Sequence, residues 1–145
     1  MNFSDNPNFY PTPKAIIDKM IAPFIYIPSP EEEDENLERF RRRQHYRDNR
    51  DMSPLNERII LEPSAGKGDI ADRIVELSRL REKHIYTLEQ DGDLVHILNE
   101  KGYNVIGNDF LNYNGNILFD LIVMNPPFDR GEEHLLKAWD VLDHG

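Results

Sequence analysis

Four short stretches carry side chains whose types and order could do chemistry: Glu62-Pro63-Ser64-Ala65-Gly66-Lys67-Gly68, Glu89-Gln90, Asp109-Phe110 and Asn125-Pro126-Pro127-Phe128. The first is rich in glycine, which lets a backbone approach a bound molecule closely. It lacks the serine or threonine that a triphosphate loop needs after its lysine, and its spacing differs from the three-glycine dinucleotide fingerprint. Glu62 would repel a pyrophosphate and suits a cationic ligand. Glu89 can accept hydrogen bonds from both hydroxyls of a ribose. Asp109 offers a carboxylate to an adenine amino group, and Phe110 a ring beside the base. A lone acidic residue at a strand tip often serves solubility only; three in register on successive strands point to one ligand.

The fourth stretch is rigid. Two consecutive prolines remove two backbone donors and fix two φ angles, so the Asn125 amide and the neighbouring carbonyls are held in one geometry. An exocyclic amine on a purine is a poor nucleophile because its lone pair is delocalised into the ring. Acceptors at the Asn125 side chain and the Pro126 carbonyl could bond both amine hydrogens and favour a pyramidal nitrogen. Phe128 could stack on a target base swung out of its helix.

The elements that must position these groups are strand–helix units. Residues 58–62, 84–89, 104–110 and 119–125 read as strands, the last very apolar, and residues 69–83 and 93–101 as helices, the second closed by Gly102. A helix after residue 12 would take Thr12 as its cap, Pro13 in its first turn and an end at Pro23. A last helix would line one face with Leu135, Ala138, Trp139 and Leu142. The alternation predicts an α/β fold, a partial Rossmann-like, doubly wound parallel sheet. Residues 29–53 form a charged insert, acidic and then basic, with Glu35/Arg39 and Glu38/Arg42 at helical spacing. Read plainly it is an exposed insertion; read more sharply, Arg39, Arg41, Arg42, Arg43 and Arg47 touch nucleic acid or a partner, which the adjacent acidic run opposes.

At 145 residues the chain is one domain with a core of its own. A net charge of −10 argues against gripping a phosphate backbone unaided. With no cysteine, thiolate metal sites and sulfur nucleophiles are excluded, among them the chemistry of cytosine-C5 methylation. None of the five histidines is assigned to a metal or any other site. No apolar run reaches the length of a membrane span and no secretory signal precedes the first helix, so a cytoplasmic protein is expected.

With these motifs in order, the sequence resembles class I S-adenosylmethionine-dependent methyltransferases, in the branch that methylates exocyclic amines and especially adenine N6 of DNA. The resemblance covers about residues 9–27 and 58–144. It implies that S-adenosylmethionine is the cofactor, held by Glu62, Pro63, Ser64, Ala65, Gly66 and Gly68 at its methionine portion. Glu89 and Gln90 would lie at the ribose, Asp109 and Phe110 at the adenine, and Asn125 beside them. Phe9-Tyr10-Pro11-Thr12-Pro13 is similar to the family's N-terminal segment, placing Tyr10 and Thr12 over the methionine moiety. Asn125, Pro126, Pro127 and Phe128 would be the catalytic residues. The order of segments is that of the subgroup whose target-recognition region lies C-terminal, and the family's sheet has further strands. The chain therefore reads as a C-terminally truncated adenine methyltransferase domain of a phage or restriction–modification type, acting on DNA with a missing region or a second chain. Strand 119–125, left at a sheet edge, would self-associate or bind a partner. Two other readings keep the fold: a non-catalytic binder of cofactor or protein, such as a phage-type inhibitor, and a methyltransferase acting on RNA or a protein amide.

Overall fold

The computed structural model describes residues 10–29 and 54–145. Phe9 and all of the charged insert after Ser29, with its arginines, lie outside the described residues. Among the described residues five helical and four strand segments follow in order: α1 (Lys14–Ile21), β1 (Ile60–Pro63), α2 (Asp69–Leu77), a 3-10 turn (Glu82–His84), β2 (Ile85–Leu88), α3 (Gly92–Lys101), β3 (Asn104–Gly107), β4 (Leu121–Ile122) and α4 (Gly131–Val141).

The sheet is parallel throughout, in the order β3-β2-β1-β4. The chain winds outward from β1 to β3 and then returns to the other side of β1. The direction of winding thus reverses between β1 and β4, and a crevice opens at their carboxyl ends, the usual ligand site of such sheets. β1 is buried at every position because helices pack over it, as parallel strands require. One core cluster gathers Ile17 and Ile21 of α1 with Ile60, Ile70, Ile74, Leu77, Ile85 and Leu98; a second joins Leu61, Leu88, Phe110, Phe119, Ala138 and Val141.

α1 brings the N-terminal segment to the crevice. Its apolar residues enter the first cluster, and Asp18 takes two hydrogen bonds from the buried Arg73 of α2, at 2.7 and 3.1 Å. A forked pair of this kind fixes orientation as well as distance. Pro13, not Thr12, occupies the cap position, its carbonyl accepting from the amides of Ile16 and Ile17, and no side chain caps the helix. The Thr12 hydroxyl is engaged elsewhere.

Four further expectations need correction. The helix from residue 69 stops at Leu77, and a separate turn at Glu82–His84 leads into β2. The fourth strand keeps only Leu121–Ile122 as regular pairing, because the amides of both Asp120 and Leu121 point at the Ile59 carbonyl and the prolines end donation beyond Asn125. Its outer edge is not bare: Phe119 pairs in parallel with Leu142, donating to Val141 and accepting from Asp143. On α4 the buried face is His134, Ala138 and Val141, which pack on the second cluster, whereas Leu135 and Trp139 are 64% and 65% exposed. Among the described residues no helix is long and apolar enough to cross a membrane.

Candidate functional site

A cleft with a cavity volume of about 130 Å³ opens at the carboxyl ends of the strands. One wall is the end of β1 and the loop after it, with Glu62, Ser64, Ala65 and Gly66; the segment just past β2 adds Glu89, Gln90 and Asp91. Asn108 and Phe110 follow β3, and Asn125, Pro126, Pro127 and Phe128 follow β4, facing Tyr10, Pro11 and Thr12 across the opening. Five chain segments far apart in sequence therefore meet around one space.

The loop after β1 gets its shape from three left-handed residues, Ser64 (φ 61), Gly66 (φ 58) and Gly68 (φ 83). Serine rarely adopts such a φ, and here it turns the backbone away from the sheet at the edge of the cleft. Ala65 donates to the Leu88 carbonyl, and Gly66 donates to the Glu89 carboxylate at 2.7 Å, so the loop is tied to β2 from both ends. Gly68 does not line the cleft but seats α2: a Cβ there would stand 3.0 Å from Leu98 Cδ2 and 3.3 Å from the Tyr103 ring. Gly68→Ala is expected to lower stability by about 1–3 kcal/mol through backbone strain and this contact, read as a fall in the midpoint of thermal unfolding.

Glu89 and Glu62 are both held by backbone amides. Glu89 accepts from Gly66 with one oxygen and from Asp91 at 3.0 Å with the other, which leaves a free lone pair on each oxygen for two further donors. Glu62 is 3% exposed and accepts from the Ala71 amide at 2.9 Å, in the first turn of α2. Burial pushes the Glu62 carboxyl well above the usual carboxylate range, against the Ala71 hydrogen bond, with the nearby Asp69 and Asp72 adding to the rise. Glu62, Asp69, Glu89 and Asp91 all line the cleft and, among the described residues, no lysine or arginine does. A polyanion would be repelled. A small cation carrying hydroxyls fits this donor-hungry wall.

The far wall is set by the β4 loop. Asn125 Nδ2 donates to Thr12 Oγ1 at 3.1 Å, which turns the Asn125 carbonyl oxygen free as an acceptor. The threonine reaches this partner because the Arg73–Asp18 pair locks α1 on α2. Phe128 is 81% exposed and stands in an edge-to-face pair with the Tyr10 ring, with centroids 5.2 Å apart and planes at 69°. Such an aromatic pair at a cleft mouth presents an apolar face to an incoming planar group.

Tyr10, Thr12, Glu62, Ser64, Ala65, Gly66, Glu89, Gln90, Phe110, Asn125, Pro126, Pro127 and Phe128 thus line the one cleft. Pro63 and Gly68 support it from behind. Asp109 does not line it: its oxygens accept from the Leu111 amide at 3.0 Å and from Asn112 Nδ2 at 2.5 Å, folding the carboxylate onto its own loop. His134, which no motif singled out, lines the cleft from α4.

No protein-family profile and no curated protein matches the sequence. Solved structures do. PH1948 of Pyrococcus horikoshii, provisionally named an RNA methyltransferase, is 26% identical with a TM-score of 0.50, over 59% of this chain and 45% of that one. An S-adenosylmethionine-dependent methyltransferase of Clostridium acetobutylicum ATCC 824 is 13% identical over 89% of this chain and 51% of its own, with a TM-score of 0.47. The aminopentose methyltransferase CalS10 of Micromonospora echinaspora, solved with S-adenosylmethionine bound, is 12% identical over 59% and 39%, with a TM-score of 0.48. The chain spans about half the length of these structures or less. The parallel four-stranded sheet with its helices is the methyltransferase Rossmann-like α/β fold.

Proposed function

We propose that the cleft binds S-adenosylmethionine and that the chain is the cofactor-binding portion of a methyltransferase acting on an exocyclic amine, with adenine N6 of DNA as the substrate. The observation that carries this reading is the convergence of the Ser64–Gly66 loop, Glu89, Phe110 and the Asn-Pro-Pro-Phe segment on one acidic cleft. When bound, the cofactor supplies a methyl group activated by a sulfonium charge. Glu62 favours the cationic end by its burial and incipient charge, and Glu89 receives the ribose hydroxyls on its two free lone pairs. Asn125 Oδ1 and the Pro126 carbonyl accept the two hydrogens of the substrate amine, which draws its lone pair out of conjugation. Thr12 holds the Asn125 amide in the orientation this needs, and Phe128 stacks on the base. These groups orient and polarise the nitrogen; none of them is a strong base.

RNA as the substrate is favoured by one observation, the provisional name of the Pyrococcus horikoshii structure. The experiment is methyl transfer from labelled S-adenosylmethionine to DNA, RNA and protein, with mass spectrometry of the hydrolysed products. N6-methyladenine in DNA is the expected product; a methylated RNA base or glutamine amide would replace the substrate and keep the chemistry. Cofactor binding without transfer to any of them would favour a sequestering protein.

A second copy of the chain is the proposed partner of the region around residues 119–125. Support comes from the exposed Leu135, Leu136 and Trp139 on α4, the helix whose end pairs with Phe119. Light scattering at high concentration is expected to give a dimer mass, and a clean monomer would count against it.

A further inference from the structure

We infer that His134 reads the amine edge of the purine that the cofactor carries, an assignment that rests on the cofactor reading above. The question is posed by Asp109, the obvious acceptor for that amine, whose carboxylate is turned onto Leu111 and Asn112 of its own loop and does not line the cleft. An acceptor is needed beside Phe110, and α4 supplies one.

His134 is 5% exposed, in the second turn of α4, with its ring centroid 5.8 Å from that of Phe110 and the planes tilted by 41°. Its Nδ1 lies 2.9 Å from the Arg130 carbonyl oxygen. A carbonyl only accepts, so Nδ1 carries the hydrogen and, in the neutral ring, Nε2 presents a lone pair. Nε2 has no partner among the described residues, and it is not sealed: only Thr87 Oγ1 is both buried and unpartnered there. His134 lines the cleft with its ring next to Phe110, and this lone pair is assigned to the space they share. The carbonyl thus fixes the tautomer, and the tautomer fixes the polarity the ring shows a ligand. Adenine offers an N–H donor at its exocyclic position and matches it. Hypoxanthine offers an oxygen there and does not. Asn108, the other polar side chain after β3 at the cleft, has an amide that can turn to suit either base and so carries no such preference.

Calorimetric titration with S-adenosylhomocysteine and with its hypoxanthine counterpart, S-inosylhomocysteine, tests this on the unaltered chain, His134→Gln and His134→Phe. The unaltered chain is expected to prefer the adenine ligand by about 10-fold or more, as for a polar group left facing another of like sign. His134→Gln, whose amide can present either polarity, should keep the adenine ligand and tighten the hypoxanthine one by about 10-fold, a gain that misfolding cannot produce. His134→Phe should remove the preference by weakening the adenine ligand alone. A preference that neither variant moves overturns the assignment and leaves the cofactor reading standing. Failure of the unaltered chain to bind S-adenosylhomocysteine overturns both.

Discussion

A chain carrying Asn125→Ala is expected to lose methyl transfer by about 10²–10³-fold while its affinity for S-adenosylmethionine changes by less than about threefold. The split follows from where Asn125 stands. Its Nδ2 is spent on Thr12 at 3.1 Å, which leaves its side-chain oxygen as an acceptor on a residue that lines the cleft. The groups that hold the proposed cofactor, Glu62, Gly66 and Glu89, are on other strands and keep their own hydrogen bonds when the amide is removed. Thr12→Val should reproduce a weaker version of the same defect, because it frees the amide to rotate without deleting it. Single-turnover transfer measured beside equilibrium binding gives the comparison. Parallel losses in both would place Asn125 at the cofactor and not at the amine.

The second large effect concerns Glu62. Burial holds its pKa in the folded, unliganded chain well above 4.5. The stability that this group contributes is therefore fully present below about 4.5 and is lost as pH rises through the elevated folded value, where a bare charge must be kept in the core. Glu62→Gln keeps an acceptor for the Ala71 amide and removes the titration. In the unliganded state the variant should melt higher than the unaltered chain once pH exceeds the folded pKa, and the two should converge in acid. Binding should move the other way. A cation in the cleft stabilises the carboxylate, so the unaltered chain should release a proton as it binds, and Glu62→Gln should bind S-adenosylmethionine about 10–100-fold more weakly, the scale of a lost charge-assisted contact. Titrations in buffers of different ionisation enthalpy read the proton directly. A variant that binds as tightly, with no change in proton release, would remove Glu62 from the site. This pairing of lower unliganded stability with tighter binding is common where a group is buried for function.

Much of the architecture was legible because strand tips and glycine turns follow local chemistry. The αL residues at Gly66 and Gly68, the helix closure at Gly102 and the alternation from residue 58 onward all carry their reason in neighbouring side chains. What the sequence misled on has physical causes too. Asp109 forms a turn with the amide two residues on, a frequent habit of aspartate that competes with presenting the side chain to a ligand. α4 places a histidine at the first of three positions, 134, 138 and 141, that share its inward face, while larger apolar residues lie outside. Counting apolar residues alone found Ala138 but also took the outward Leu135 and Trp139, since an exposed leucine costs little and buried polar rings need only a partner such as the Arg130 carbonyl. Thr12 looked like a cap by position, yet its partner is a residue whose proximity depends on the whole sheet. No local rule reaches such a contact.

The central claim is that one acidic cleft at the switch between β1 and β4 holds a sulfonium cofactor. Titration calorimetry of the unaltered chain with S-adenosylmethionine, paired with thermal unfolding, tests it most directly. The account predicts saturable one-site binding and a melting temperature that climbs with cofactor, reflecting about 2.7 kcal/mol of added stability at a hundredfold excess over Kd. No heat of binding and an unmoved melting temperature at roughly millimolar cofactor, a concentration that would reveal even weak sites, would contradict it.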